Sequence, residues 1–284
     1  MMREEARFLG IPRETRQHIY DYVILSDLNY EAVKLYKDGS SNYGTATVMY
    51  RNPIEVLTVP WVNLLLTCKY INTEMGAYMS SPVVLGDEAN RTYTMVVCGT
   101  GRGFLRSSSW QKIPCSPSNV EHILVNIHID CGSRLRRIRT IGNGGPTPIV
   151  RQLYQTLNLL LHNGPILSRA APLQQPLKLK NLDVHVTVTS DGIPDTPSPA
   201  DNGIKWCLKT LKNVGLLQGY VDRVHIHDEN GHTDLAIEAV DNAGVPASWD
   251  RNGFEWGQNH SQSVKWETFD ENDPADSKRR IRLD

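Results

Sequence analysis

The chain has 284 residues, 40% of them apolar, with a formal net charge of −1. That is length enough for one large domain or two smaller ones, and apolar content enough for a core. The near-neutral balance excludes a general electrostatic trap for nucleic acid or anionic membrane. No run of about twenty apolar residues is present, which predicts no transmembrane helix. Met1 to Arg7 is charged rather than apolar, which predicts no secretory leader. Five scattered cysteines (Cys68, Cys98, Cys115, Cys131, Cys207) fit reduced thiols in cytoplasm or nucleus.

A first helix is expected over about Pro12 to Leu25. Pro12 suits its first position, Glu14 its dipole, and Thr15, Ile19, Tyr22 and Val23 share one face. Tyr30–Tyr36 and Thr45–Tyr50 read as two strands around the turn Asp38-Gly39-Ser40-Ser41, a β-hairpin. A second helix follows, about Val62 to Met75, with Leu64, Leu65, Cys68, Ile71 and Met75 on its apolar face and Gly76 as its stop. Glu14 and Arg16, two apart, face different ways on the first helix, and Arg16 is expected to pair with Glu74 across the two helices. A strand at Tyr93–Cys98 leads into a Gly/Ser-rich stretch through Ser109, read as a loop.

The second half alternates with more regularity. Ile123, Val125, Ile127 and Ile129 mark a strand, and Val150 to Leu161 a helix ended by Asn163-Gly164. Leu182, Val184, Val186 and Val188 mark a strand whose other face is polar. Ile204 to Val214 is a helix ended by Gly215, and Val221, Val224 and Ile226 make the last expected strand. Strand, crossover helix and strand in this order predict a βαβαβ body of mainly parallel strands with right-handed connections. Half-polar strands point to helices on one face only, with leucine-rich-repeat-like curvature rather than a doubly wound sheet. The expected division is residues 1–80, 81–241 and a polar tail, 242–284. Trp249, Phe254, Trp256, Trp266 and Phe269 suggest that the tail packs partly on the body.

Phe8-Leu9-Gly10-Ile11-Pro12-Arg13-Glu14-Thr15-Arg16-Gln17-His18-Ile19-Tyr20 resembles the opening of filamentous-fungal F-box-like proteins of the group named for a Glu-x-Arg motif. Leu64-Leu65-Leu66-Thr67-Cys68-Lys69-Tyr70-Ile71-Asn72-Thr73-Glu74 resembles their closing helix. The likeness spans Phe8 to Met75. It departs from a standard F-box in the insertion over about Asp27 to Val59 and in Thr15, where leucine is usual. The overall fold class expected is therefore α+β, an F-box-like helix–hairpin–helix module followed by the βαβαβ body. The resemblance implies docking on a Skp-type adaptor of a cullin-RING ubiquitin ligase, with the body holding a protein substrate. The matching partner-binding positions are Leu9, Ile11, Pro12, Ile19, Leu64, Leu65, Cys68 and Ile71.

Few residues stand in patterns that carry chemistry, so the expectation is a non-enzyme without catalytic residues, metal or cofactor. His225 and His227 lie on one strand face, and His232 or Asp234 offers a third metal ligand; the competing reading is a solvated strand end before the turn Asp228-Glu229-Asn230-Gly231. Gly99-Thr100-Gly101-Arg102-Gly103 fails the dinucleotide pattern at Phe104. Cys68 and Cys207 read as buried structural thiols on helices, and Cys131 as a thiol beside Arg134. Arg134, Arg136, Arg137 and Arg139 form a basic loop, and Lys278-Arg279-Arg280 a weak nuclear-import patch. Alternatives to the adaptor reading are an interaction scaffold with no ubiquitin role and a ligand-binding or enzymatic α/β domain near Asp130, Ser190 and His227.

Overall fold

The structure, a computed structural model, describes residues 8–28, 59–100, 104–130, 148–165, 175–189, 199–229, 231–245 and 256–257. The hairpin expected at 30–50 lies outside them, as do Cys131, Ser190 and both basic clusters. The first helix, α1, runs Arg13–Ile24, with Pro12 as its cap residue rather than its first helical one. Where one helix was expected there are two, α2 (Pro60–Leu65) and α3 (Lys69–Met79). The break has a local cause. Thr67 Oγ1 donates to the Leu64 carbonyl at 2.7 Å and Asn72 Nδ2 to the Leu65 carbonyl at 2.9 Å, so side chains take carbonyls that a continuous helix would use. Cys68 is extended, exposed, and caps α3, which corrects its reading as a buried helical thiol. Gly76 does not stop the helix, which continues to Met79. A short helix α4 (Pro82–Gly86) and a 3-10 turn at Glu88–Arg91 lead to the sheet.

The sheet has six strands: β1 (Thr92–Thr100), β2 (Phe104–Lys112), β3 (His122–Asp130), β4 (Leu179–Thr189), β5 (Val221–Asp228) and β6 (Gly231–Ala236). Their order is β2-β1-β3-β4-β5-β6. The four central strands are parallel, and β2 and β6 add antiparallel edges. Helices α5 (Pro148–Asn163) and α6 (Pro199–Asn213) make the crossovers β3–β4 and β4–β5. The α+β class and the mainly parallel strands agree with the expectation; the two edge strands do not. The Gly/Ser stretch read as a loop continues into β2, and the polar residues after the 228–231 turn form β6.

Alternation divides the sheet into unlike faces. Tyr93, Met95, Val97, Ile123, Val125, Ile127, Leu182, Val184, Val224 and Ile226 point into one core. They share it with Leu153, Leu157 and Leu161 of α5 and with Ile204, Leu208 and Leu211 of α6. Tyr20, Trp61, Ile71 and Met75 of the N-terminal helices belong to the same contiguous core. Trp61 Nε1 donates to the Ile113 carbonyl at 2.6 Å, and Tyr93 Oη to the Cys115 carbonyl at 2.7 Å, so the segment after β2 is held from both sides. Burial there pushes the Cys115 thiol up to about 12, and burial on the inner face of α6 likewise raises the Cys207 thiol. At the far end of the core the tail returns: Trp256 packs edge-on against Tyr154 (5.1 Å between ring centroids) and His162 (5.5 Å).

Helix α6 ends in a paired-bond glycine cap. Gly215 N–H donates to the Lys212 carbonyl and Leu216 N–H to the Leu211 carbonyl, each at 3.0 Å, with Gly215 at φ +72. The tail lies directly on this cap, since a Cβ on Gly215 would stand 2.6 Å from Ala243 Cβ. Gly215→Ala therefore combines left-handed strain with a collision and is expected to cost about 2 kcal/mol or more. Urea unfolding checks this; a change below about 0.5 kcal/mol, the range of an ordinary surface substitution, would contradict it.

Candidate functional site

Two places on this frame concentrate polar side chains. The first lies between α1 and α3. Arg16, at 5% exposure, sends Nε to Glu74 Oε2 at 3.0 Å and Nη2 to Glu74 Oε1 at 2.8 Å. This two-pronged bond is the strong form of an arginine–carboxylate contact. Nη1 donates to the carbonyls of Ile11 (2.5 Å) and Leu9 (3.3 Å), and Nη2 also to Tyr70 Oη (3.3 Å). Tyr20 Oη donates to Glu74 Oε2 at 3.2 Å. The Glu-x-Arg arginine thus joins three pieces of chain: the turn before α1, α1 itself and α3. Its hydrogen bonds hold the Glu74 carboxyl below the ordinary glutamate range, and the same bond raises Arg16. Next to it, Tyr78 Oη donates to Asp21 Oδ1 at 2.6 Å; burial, then that bond, push the phenol up to about 12.

The expected partner-binding residues separate around this pair. Leu9, Pro12 and Cys68 are exposed; Ile11, Ile19, Leu64 and Leu65 are half-buried; Ile71 is buried in the chain's own core. Ile71 therefore offers a partner no surface. The sequence did not single out Tyr22, Leu66, Tyr70 and Val83 as exposed, and all four are. Leu66 closes α2 and Tyr70 lies in the first turn of α3, so the two flank the break between the helices.

The second place is the open face of the sheet at its β4–β5–β6 edge. Here strand register does what sequence spacing alone did not. His185 on β4 is level with His227 on β5, and His227 with His232 on β6. One row along, Asp183 is level with His225 and His225 with Asp234. His225 Nδ1 and His232 Nε2 each lie 2.5 Å from the same Asp234 Oδ1. His232 Nδ1 is 3.2 Å from His227 Nδ1, and the His185 and His227 rings meet edge to face at 4.6 Å. His128, on β3, is exposed on this face too. Desolvation, with the neighbouring imidazoles, lowers His227; the hydrogen bond from His225 is the main cause lowering Asp234. His185 was legible as part of a polar strand face, but its meeting with His227 required the parallel register.

At the end of β5, Lys205 Nζ of α6 is 2.6 Å from Asp228 Oδ2, which anchors the crossover helix to the strand that carries the histidines. No family model, no curated protein and no solved structure matches the chain. Among the described residues, no helix is long and apolar enough to cross a membrane.

The Arg16–Glu74 bond gives a pH prediction. Glu74 has a folded-state pKa below its ordinary value of 4.5, so its contribution is complete above that value and is lost as pH falls through the lower folded value. Glu74→Gln is expected to lower the urea midpoint at pH 7. The gap from wild type should close as the wild-type carboxyl is protonated at acid pH. A gap that stays constant from pH 7 down to pH 2 would mean that the carboxylate's charge contributes nothing.

Proposed function

We propose that the chain is a protein-interaction protein whose N-terminal helices dock a Skp-type adaptor of a cullin-RING ligase, leaving the sheet body to hold a protein substrate. The reading places it in cytoplasm or nucleus and asks no turnover chemistry of it. One observation carries the most support. Among the described residues, every exposed large apolar side chain except Trp206 lies on or beside the N-terminal helices: Leu9, Tyr22, Leu25, Leu66, Tyr70 and Val83. Tyr22, Leu66 and Val83 are 79%, 77% and 84% exposed, which a self-contained helical core does not need.

Arg16 supplies a reason for the Glu-x-Arg motif in this setting. Its guanidinium bonds both Leu9 and Tyr70, Nη1 to the Leu9 carbonyl and Nη2 to the Tyr70 hydroxyl. The buried pair thereby fixes the relative position of two exposed apolar residues. A preformed arrangement of apolar anchors loses less conformational entropy on binding than a flexible one. In helix-in-groove recognition such anchors provide the affinity, and no reacting group is required.

Co-expression with a Skp-type adaptor and size-exclusion chromatography test the reading. Wild type should co-elute with the adaptor. Leu9→Asp combined with Leu66→Asp, both exposed and so compatible with folding, should weaken the complex at least about tenfold with the circular-dichroism spectrum unchanged. Failure of wild type to associate, or full retention by the double variant, would overturn the assignment.

A further inference from the structure

We propose that the β5–β6 hairpin is a binding site for a divalent first-row transition metal of the zinc class, with His225, His232 and Asp234 as its protein ligands. This is independent of the adaptor reading, since it uses the opposite face and the other edge of the sheet.

The donor set decides the class of ion. Two imidazoles and one carboxylate suit zinc, cobalt, nickel or ferrous iron, whereas magnesium and calcium prefer oxygen donors throughout. The geometry decides whether one ion can reach all three. One ligand atom from each of His225, His232 and Asp234 lies within 4.8 Å of the other two. A tetrahedral zinc with bonds of about 2.1 Å keeps its donors about 3.4 Å apart. The two His–Asp separations of 2.5 Å must therefore open by about an ångström to admit the ion. Both side chains have room for that movement: Asp234 is 60% exposed and His232 45%.

The backbone fixes the ligands in advance. His225 and Asp234 are direct cross-strand partners, and His227 and His232 are the next same-face pair toward the turn. Facing residues of an antiparallel pair hold their Cβ atoms about 5 Å apart whatever their side chains do. The ladder closes at Asp228 opposite Gly231, and Gly231 takes φ +126, so the hairpin is tight and the spacing rigid. His227 acts as a positioning residue. Its Nδ1 meets His232 Nδ1, which leaves His232 Nε2 aimed at Asp234. This is the outer-shell contact that sets ring orientation in metal sites.

Local charge is balanced. Arg223, exposed two residues before His225, opposes a cation, and Asp183, level with His225 on β4, favours one. Three protein ligands leave at least one coordination position facing solvent. That is the open form of a zinc site, able to take water or an external donor, rather than the closed structural form.

The test is titration of the full chain, purified without a histidine tag, with Zn²⁺ against a colorimetric chelator, and with Co²⁺ followed by visible absorption. One equivalent should bind, and Co²⁺ should give the intense ligand-field bands of a four- or five-coordinate ion. His232→Ala and the near-isosteric Asp234→Asn should each weaken binding at least about tenfold, and His227→Ala about tenfold. His128→Ala, on the same face but outside the ligand set, should leave it unchanged. Absence of competition with the chelator would overturn the proposal. So would wild-type affinity in the folded His232→Ala and Asp234→Asn proteins, or an equal loss in His128→Ala, which would mean diffuse binding over a histidine-rich face.

Discussion

Four parallel strands that, among the described residues, carry helices on one side only are the constraint from which the rest of the structure follows. The strands β3, β4 and β5 advance in one direction across the sheet, and right-handed crossovers then put α5 and α6 on the same face. Every second residue of each strand goes into the core under those helices, and the others cannot. A sheet covered on both faces would need apolar residues at Asn126, Asp183, His185, His225 and His227. Instead these positions form a polar surface, and the parallel register sets its members side by side. The histidine rows are thus a consequence of topology as much as of composition.

The N-terminal helices complete the same core from the other edge. Leu28 N–H donates to the Gln111 carbonyl at 2.7 Å, so the chain leaving α1 runs beside β2 and covers part of an otherwise open strand edge. Trp61 closes on the Ile113 carbonyl a few residues later. A buried indole N–H and a buried carbonyl would each be costly if left unpaired, so this bond also fixes where α2 lands. Arg16 has the corresponding role one layer out. A guanidinium this buried persists because a carboxylate and two backbone carbonyls answer its donors. The turn before α1 is held by the arginine rather than by a capping side chain, and α1 indeed has no side-chain cap bond.

What could be read from the sequence was whatever has a period. Strands β3 and β4 and helices α5 and α6 carry uninterrupted apolar spacing, and Gly164 and Gly215 stand where positive φ is needed to end the helices. The edge strands were hidden for one reason. An edge strand has a single neighbour and can be mostly polar, so β6, with only Leu235 buried, carries too little alternation to register. β2 begins in a Gly- and Ser-rich stretch that resembles a loop by composition, and its pairing with β1 is a long-range fact. The α2–α3 break was hidden because apolar spacing continues across it; the deciding bonds from Thr67 and Asn72 are local and polar. The Arg16–Glu74 pair was legible because opposite charges stood on two helices already expected to pack. The histidine cluster was half legible: the β5 histidines share a face by simple alternation, whereas β6 had first to be a strand.

The two surfaces sit far enough apart to be occupied together. The N-terminal helices meet the sheet at β2, and the histidines lie at β5 and β6. Neighbouring strands are about 4.8 Å apart, so about 24 Å of sheet separates its two edge strands. Direct charge interaction over that distance is screened at physiological ionic strength, where the Debye length is about 8 Å. Coupling between the surfaces would need an element with two arrangements that each occupant favours differently. The parallel ladder between them is a poor candidate, because its register is fixed by a buried face: a slip of one residue would send Val125, Val184 and Ile226 to solvent and bring Asn126, His185 and His227 into the core. The sheet therefore acts as a rigid spacer. An occupant of the helical surface and one of the open face are expected to bind with additive free energies.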